Sequence, residues 1–216
     1  MEASRGGTVV LVAEDDPHAL SGYIEFLATA GFIASGRGDG REALSTALET
    51  VPDIVVTDIA MPRLNGIEVV RRLHEAVPQV RVLVLTMHQE DEYVLQAVRA
   101  GAAGYLVKDS AAEALLAAVR SLHAGRGYFG PQASRALAEQ MQHPERQVDD
   151  PYGRLTPRER EVFHLIVEGN TTKEIARKLD ISGKTAENHR ARVLDKLGVR
   201  NTAELVRYAL KRGLLD

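Results

Sequence analysis

The sequence predicts two domains of different class: a five-stranded, parallel, doubly wound α/β domain followed by an all-α domain of four short helices. Three observations lead to this prediction. The chain has 216 residues, which is more than one ordinary domain needs. Short apolar runs alternate with amphipathic stretches up to about residue 125, whereas only helical patterns follow residue 155. The net charge also changes sign between these two parts.

The first domain is predicted from five apolar runs, four of which are rich in Val, Ile or Leu. These predicted strands cover residues 8–13, 32–35, 53–57, 80–85 and 104–107. Because the runs are apolar on both faces, they are typical of a parallel sheet covered by helices on either side. The segments between them have helical spacing, as in Leu20, Ile24 and Leu27. With right-handed crossovers this pattern gives a doubly wound domain, expected at residues 1–125.

Residues 126–154 are predicted to connect the domains. Residues 131–142 fit one further helix, while residues 143–153 hold two prolines, several charges and almost no apolar residue. That composition is typical of an exposed linker.

The helical domain is expected at residues 155–216, where capping residues mark the helix starts. A further helix is expected to begin after Ser182. Three pairs have the spacing of capping boxes, namely Thr156 with Glu159, Thr171 with Glu174, and Asn201 with Glu204. The predicted core residues are Val162, Leu165, Ile166, Ile175, Leu179, Val193 and Leu197.

Composition excludes several classes of protein. With 44% hydrophobic and 26% charged residues, the chain is not disordered as a whole. It has no cysteine, which excludes disulfides, thiolate zinc sites and a cysteine nucleophile. No apolar run approaches the roughly 18 to 20 residues of a membrane span, and residues 1–8 do not resemble a signal peptide. We therefore expect a cytoplasmic protein with no membrane partner.

The charge is divided unevenly along the chain. Residues 1–150 carry 13 Lys and Arg against 21 Asp and Glu, a net charge of −8, while residues 151–216 carry 14 against 9, a net charge of +5. A basic second domain suggests contact with a polyanion. Its basic residues on the second and third helices are Lys173, Arg177, Lys178, Lys184, Arg190, Arg192 and Lys196. A solvated charged face is the alternative interpretation, and charge alone does not decide between the two.

Polar residues follow the predicted strands at the edge where open α/β sheets hold their ligands. The first strand ends in Glu14, Asp15 and Asp16, the third in Asp58, the fourth in Thr86 and the fifth in Lys108. Carboxylates gathered at one crevice need a cation, and an all-oxygen ligand set indicates Mg²⁺. The chemistry that fits is phosphoryl transfer, with Asp58 as the nucleophile and with Lys108 and Thr86 holding phosphoryl oxygens.

Other interpretations of these residues stay open at this point. A single acidic residue after a strand is commonly a solvated turn or a helix cap, and Asp16, followed by Pro17, can simply cap the first helix. Tyr105, inside the last strand, is read as a core aromatic residue. The glycine-rich residues 36–40 lack the ending of a phosphate loop, so they are read as a turn.

The first domain resembles the receiver domain of two-component response regulators over residues 8–125. The motifs that carry this resemblance are Glu14-Asp15-Asp16, Asp58-Ile-Ala-Met61-Pro62 with Gly66, Thr86, and Tyr105-Leu-Val-Lys108. The resemblance implies that Asp58 accepts a phosphoryl group from a phosphohistidine of a sensor histidine kinase. It also implies that Glu14, Asp15, Asp58 and the backbone carbonyl of Ala60 surround Mg²⁺, and that Thr86 and Tyr105 form a switch pair in which the aromatic ring turns inward.

The second domain is similar to the LuxR-type helix-turn-helix from Leu155 to about residue 215. The matching motifs are Leu155-Thr-Pro-Arg-Glu159, Gly169-Asn-Thr-Thr-Lys-Glu174 and Ser182-Gly-Lys-Thr-Ala-Glu-Asn-His189. Both domains together resemble a response regulator of the NarL/FixJ class, which implies binding to double-stranded DNA. By this resemblance Glu187, Asn188 and Ala191 face base edges, and Lys173, Lys184, Thr185, His189, Arg190, Arg192 and Lys196 lie at or near phosphates.

The leading hypothesis is a phosphorylation-controlled transcription factor that forms a homodimer when phosphorylated or bound to DNA. On this hypothesis the chain is not an enzyme beyond its own phosphorylation and dephosphorylation at Asp58. A Mg²⁺-dependent phosphatase with an aspartate nucleophile is the competing enzyme hypothesis. Such enzymes usually carry a second carboxylate two positions after the nucleophile, where this chain has Ala60. A third possibility is a DNA-binding protein whose affinity does not depend on phosphorylation.

Overall fold

The computed structural model describes residues 7–110, 112–143, 151–211 and 214. The chain forms two compact units that divide between residues 148 and 149. The first is a parallel α/β unit and the second is helical, so the predicted fold class is confirmed. Within the described residues, no helix combines the length and the apolar character needed to cross a membrane.

The five predicted strands are all present, with ends within two residues of the predicted bounds. They are β1 Val9–Ala13, β2 Ile33–Arg37, β3 Ile54–Thr57, β4 Arg81–Thr86 and β5 Gly104–Val107. Every neighbouring pair is parallel, and with one further strand, β6 Tyr128–Phe129, the order across the sheet is β2-β1-β3-β4-β5-β6. This order places the carboxyl ends of β1, β3, β4 and β5 next to one another at one edge.

Helices cover both faces of this sheet. They are α1 Pro17–Thr29, α2 Gly40–Thr50, α3 Gly66–Ala76, α4 Asp91–Ala100 and α5 Ala112–His123. Along β1, Leu11 and Ala13 pack with α2, α3 and α4, whereas Val10 and Val12 pack with α1 and α5. Successive strand residues point to opposite faces, so burial of both faces requires the continuous apolar runs seen in the sequence.

A short sixth strand, β6 Tyr128–Phe129, extends the sheet beyond the five predicted strands. It is followed by α6 Pro131–Gln142, which packs against α4 and buries Ala133 and Ala136. Residues 128–142 therefore pack on the first unit, although the sequence assigned them to the connecting segment. A two-residue strand has no periodicity to recognise, which is why the sequence did not predict it. Residues 144–150 of the expected linker lie outside the described residues.

The second unit contains the four predicted helices, α7 Pro157–Val167, α8 Thr172–Lys178, α9 Gly183–Lys196 and α10 Thr202–Lys211. Capping boxes close the amino ends of α7 and α8, and the Ser182 hydroxyl accepts the Thr185 N–H at 3.0 Å. At α10 the Asn201 side chain accepts the Glu204 N–H at 2.9 Å, but the Glu204 carboxylate accepts the Arg200 N–H instead of closing a box.

The segment before α7 is part of the packing of the second unit. Tyr152 is 4% exposed, its ring meets Phe163 edge-on at 5.1 Å, and its hydroxyl lies 2.8 Å from Nε2 of His164. Leu155 is also buried. The hydrophobic core of this unit thus includes Tyr152, three residues before the predicted boundary.

Candidate functional site

The sheet brings the predicted site residues together at its carboxyl edge. Glu14, Asp58 and Lys108 each stand one residue beyond a strand, and Thr86 is the last residue of β4. The hydrogen-bonded ladder continues past the strands, since the Asp58 N–H donates to the Ala13 carbonyl at 3.0 Å and the Lys108 N–H donates to the Thr86 carbonyl at 2.8 Å. The backbone therefore fixes these side chains at a common crevice.

Three carboxylates form an acidic cluster there. Glu14, Asp15 and Asp58 each offer an oxygen within 4.8 Å of the others. Glu14 and Asp58 are buried and Asp15 is exposed, so the cluster opens to solvent on one side. Clustered carboxylate oxygens are the ligands that hard divalent cations prefer, and these three residues can hold such a metal.

Asp16 does not belong to this cluster. Its carboxylate accepts the backbone N–H groups of His18 and Ala19, both at 2.8 Å, at the amino end of α1. The interpretation of Asp16 as a helix cap is therefore confirmed.

Lys108 lies between two of the carboxylates. Its Nζ is 2.7 Å from Oε2 of Glu14 and 2.5 Å from Oδ2 of Asp58. Burial lowers the pKa of Lys108, but the hydrogen bonds and charges of Asp58 and Glu14 outweigh burial and raise it above its usual value. Burial raises the pKa of Glu14, and Lys108 offsets this only in part. Three carboxylates against one ammonium leave the crevice with an excess of acidic oxygen ligands, which suits a divalent cation.

The loop after β3 is held close beneath Asp58. The N–H of Gly66 donates to the carbonyl of Ile59 at 2.9 Å, and a Cβ at Gly66 would stand 1.8 Å from the Asp58 carbonyl oxygen. The Thr57 hydroxyl, fully buried, donates to the same carbonyl at 2.9 Å. Ala60 lies exposed on this loop. The sequence supplied Gly66 only as part of a motif, whereas the structure shows that no larger side chain fits there.

Thr86 and Tyr105 are joined through the backbone of His88, a residue that belongs to none of the sequence motifs. The His88 N–H donates to the Thr86 hydroxyl at 3.4 Å, and the Tyr105 hydroxyl donates to the His88 carbonyl at 3.0 Å. Burial raises the pKa of Tyr105 far above its usual value, so the hydroxyl remains a donor. The His88 ring stacks on Tyr93 of α4 at 4.1 Å. Tyr105 is 1% exposed, which means that its ring already points inward in this structure.

Helix α9 presents most of the residues predicted to meet DNA on its exposed side. Ala186 and Val193 face the core and are fully buried. The exposed residues of the predicted set are Lys184, Thr185, Glu187, Asn188, Ala191 and Arg192 on α9 and Lys173 on α8, while His189 and Arg190 are partly buried. The exposed face of α9 therefore carries the candidate base-facing side chains and most of the candidate phosphate-facing ones.

Lys196 occupies a different environment from the rest of that set. Its Nζ lies 2.6 Å from Oε2 of the buried Glu159 and 3.2 Å from the Arg154 carbonyl. Its charge thus neutralises the capping carboxylate of α7, and a phosphate would have to compete for it. The partners are 37 residues apart, so no local spacing in the sequence could reveal the pair.

This ion pair predicts a pH-dependent stability of the second unit. Although burial raises the pKa of Glu159, hydrogen bonds from Lys196 and Thr156 outweigh it and hold the pKa below its usual value. The stabilisation is then complete above the unfolded-state pKa of about 4.3 and is lost as the pH falls through the lower folded-state pKa. We expect Glu159→Gln to lower the free energy of unfolding by about 1 to 2 kcal/mol at pH 7 and by less below pH 4.

The measurement is urea unfolding of the full chain at pH 7 and below pH 4, monitored through the amide NMR signals of α7 and α9. Glu161→Gln is the matched control, because Glu161 lies on the same helix but is 44% exposed beside a partly exposed Arg158. It should change the unfolding free energy by no more than about 0.5 kcal/mol. A Glu159→Gln effect of the same size at pH 7 and below pH 4 would contradict this account.

Two family models match the chain. The response regulator receiver domain matches residues 10–120, and the LuxR family of bacterial regulatory proteins matches residues 153–209. Together they cover both structural units.

Curated relatives match over almost their full length. The transcriptional regulatory protein MctR of Rhizobium johnstonii is 38% identical, over 96% of this chain and 95% of its own. The response regulator GacA of Pseudomonas aeruginosa is 34% identical, over 96% of this chain and 97% of its own.

Solved structures of one regulator, RcsB, are also similar. RcsB from Salmonella enterica serovar Typhimurium, bound to a promoter in the presence of the phosphomimetic BeF3−, is 26% identical over 94% of this chain and 97% of that chain, with a TM-score of 0.58. A structure of two RcsB dimers bound to two parallel DNAs is 28% identical over the same shares, with a TM-score of 0.57.

Proposed function

Because this chain belongs to the two-component response regulators of the NarL/FixJ class, with a receiver domain and a LuxR-type DNA-binding domain, we propose that phosphorylation of Asp58 controls its binding to DNA. The observation that carries this proposal is the crevice itself. A buried carboxylate, a second buried carboxylate and an ammonium lie in direct contact there, beside an exposed third carboxylate.

The proposed donor is a phosphohistidine on a sensor histidine kinase. A carboxylate oxygen of Asp58 attacks phosphorus, and the new P–O bond forms as the P–N bond to the imidazole breaks. The products are an acyl phosphate and the unphosphorylated histidine, which takes up a proton. Lys108, already 2.5 Å from Asp58, is placed to hold an oxygen of the transferred group.

Mg²⁺ is the proposed cofactor, held by Glu14, Asp15, Asp58 and the carbonyl of Ala60. The donor set fits, because three carboxylate oxygens lie within 4.8 Å of one another and the three carboxylates outnumber the single ammonium of Lys108. When bound, the ion would neutralise the charge of the incoming phosphoryl oxygens.

The switch is proposed to run from Thr86 to Tyr105. A phosphoryl group adds about −1.5 to −2 charges and three strong acceptors, which can recruit the Thr86 hydroxyl. Because the His88 N–H contacts Thr86 and the His88 carbonyl binds Tyr105, a movement of Thr86 reaches β5 and, through the stacked ring of Tyr93, reaches α4.

The first test is phosphoryl uptake from a small phosphodonor such as acetyl phosphate. We expect the full chain with Mg²⁺ to gain one phosphoryl group by intact mass spectrometry, and a chelator to prevent this gain. No gain with Mg²⁺ would contradict the proposal. Rapid turnover of a free phosphate ester would instead favour the alternative of an aspartate-dependent phosphatase.

We propose that α9 is a recognition helix that enters the major groove of double-stranded DNA, and that each protomer of a homodimer contributes one such helix. The exposed face of α9, the positive net charge of residues 151–216 and the DNA complexes of the similar RcsB support this assignment. Exposed Asn188 suits an adenine edge, and Glu187 suits a cytosine amino group.

The DNA contacts predict separable effects on affinity and on sequence preference. Arg192→Ala should weaken binding to all sequences and reduce the salt slope of log K by about 1, because one phosphate contact is lost. Asn188→Ala should cost about 1 to 3 kcal/mol on the preferred site only. Arg207→Ala is the control, since Arg207 is exposed on α10 outside the predicted DNA contacts. Fluorescence anisotropy at several salt concentrations measures all three, and equal slopes for Arg192→Ala and Arg207→Ala would overturn the assignment.

A further inference from the structure

The loop between β3 and α3 is attached to the start of α2, and we propose that Arg63 and Asp39 are positioning residues that hold this loop in place for metal binding and phosphoryl transfer at Asp58. The proposal rests on the function assigned to Asp58 above. Neither residue belongs to the crevice, and both act through the backbone between them and Asp58.

Arg63 stands on the loop in an unusual conformation. Its φ is 66°, in the left-handed region that residues other than glycine rarely adopt. Its guanidinium donates to the Asp39 carboxylate and lies 3.4 Å from Oε1 of Glu42. A non-glycine residue remains in this region only where its surroundings determine its position, and the ion pair to Asp39 supplies such a contact.

Both carboxylate oxygens of Asp39 accept hydrogen bonds. One carboxylate oxygen accepts the N–H groups of Arg41 and Glu42, at 2.8 and 2.9 Å, and so caps α2. The other oxygen faces Arg63. Asp39 is 2% exposed, and a buried carboxylate requires a compensating partner. Capping alone would engage one oxygen, so the guanidinium gives this residue a second role.

The backbones of the two loops also touch. A Cβ at Gly40 would lie 1.7 Å from the Leu64 carbonyl oxygen, so only glycine allows this approach. At its other end the loop is closed by the bond from the Gly66 N–H to the Ile59 carbonyl. Ala60, whose carbonyl is the proposed metal ligand, lies between these two attachments.

This ion pair differs from an ordinary surface pair. Exposed pairs contribute little because both partners are solvated whether or not they meet. Arg63 is 57% exposed, but its partner is buried, so removing the guanidinium leaves a buried charge without its cation. The loop must then rearrange around Asp39, and it carries Ala60 with it.

Two substitutions distinguish a change in the position of the loop from a general loss of folding. Arg63→Asn removes the guanidinium and keeps a residue that tolerates the left-handed region. Asp39→Asn removes the charge and keeps a good helix cap. We expect each to raise the dissociation constant for Mg²⁺, measured by calorimetry, and to slow phosphoryl uptake from acetyl phosphate, by about tenfold in each case. The double variant should be no worse than either single variant, because the two residues act as a pair.

Arg41→Asn is the matched control, since it removes a positive charge from an exposed residue beside Asp39. It should leave both quantities within about twofold of wild type. Unchanged Mg²⁺ affinity and uptake in Arg63→Asn, with or without a lower melting temperature, would overturn the positioning role. If the proposed function of Asp58 is wrong, wild type and Asp58→Asn will take up the phosphoryl group equally. The Mg²⁺ affinity measured by calorimetry then still tests whether Arg63 and Asp39 position the loop.

Discussion

Replacing Asp58 by Asn is expected to abolish phosphoryl uptake from both a kinase and a small phosphodonor. The amide keeps the shape of the side chain but lacks the anionic oxygen that attacks phosphorus. Lys108 retains Glu14 at 2.7 Å, so the variant should stay folded, with a change in unfolding free energy of about 1 kcal/mol or less. Intact mass spectrometry in the presence of Mg²⁺ measures the uptake, and circular dichroism checks the fold.

The same variant tests the coupling between the two domains. Phosphorylation of the wild-type chain should raise its affinity for operator DNA by about 5- to 150-fold, the usual range for coupled sites. Asp58→Asn should keep the unphosphorylated affinity under all conditions. Asp53→Asn is the control, because it changes a carboxylate of the first unit that lies away from the crevice. The Oδ2 atom of Asp53 accepts the Val9 N–H at a distance of 2.7 Å. A wild-type affinity that does not respond to the phosphodonor would favour the phosphorylation-independent DNA-binding protein.

The elements that sequence predicts well here are those in which local pattern and tertiary burial agree. Strands β1, β3, β4 and β5 are apolar on both faces because helices cover both. The capping boxes of α7 and α8 join residues three apart. The crevice followed from the same logic, since parallel strands place their carboxyl ends at one edge. The sequence therefore predicts that Glu14, Asp58 and Lys108 lie close together, and the structure places their side chains in direct contact.

Contacts between distant segments could not be predicted in this way. Lys196 has the residue type and the helix position expected of a phosphate contact. Only the short distance from its Nζ to Glu159 shows that it stabilises α7. The pair of Arg63 and Asp39 joins two loops 24 residues apart. His88 acts through its backbone N–H and carbonyl, which every residue except proline has. Pairwise geometry of this kind has no periodicity along the chain, so the sequence pattern carries no signal for it.

Gly66→Ala is expected to destabilise the first unit strongly, although it adds only one methyl group. The added Cβ would lie 1.8 Å from the Asp58 carbonyl oxygen and 3.0 Å from the Thr57 hydroxyl, and a backbone atom cannot move aside as a flexible side chain can. Either α3 separates from β3 or the loop carrying Asp58 shifts. We expect a loss of about 3 kcal/mol or more in the free energy of unfolding, together with loss of phosphoryl uptake.

Gly22→Ala provides the opposite case with the same chemical change. Gly22 lies within α1, and a Cβ there meets no heavy atom within 4 Å, so alanine should stabilise the helix by about 0.5 to 1 kcal/mol. Urea unfolding followed by the amide signals of the sheet compares the two variants. If Gly66→Ala unfolds with the wild-type midpoint and still takes up a phosphoryl group, then Asp58 does not depend on the close packing of this loop. Opposite signs for the two alanines would instead show that the crevice is fixed by backbone contact beneath Asp58, because the lower entropy of the unfolded chain alone predicts a gain at both positions.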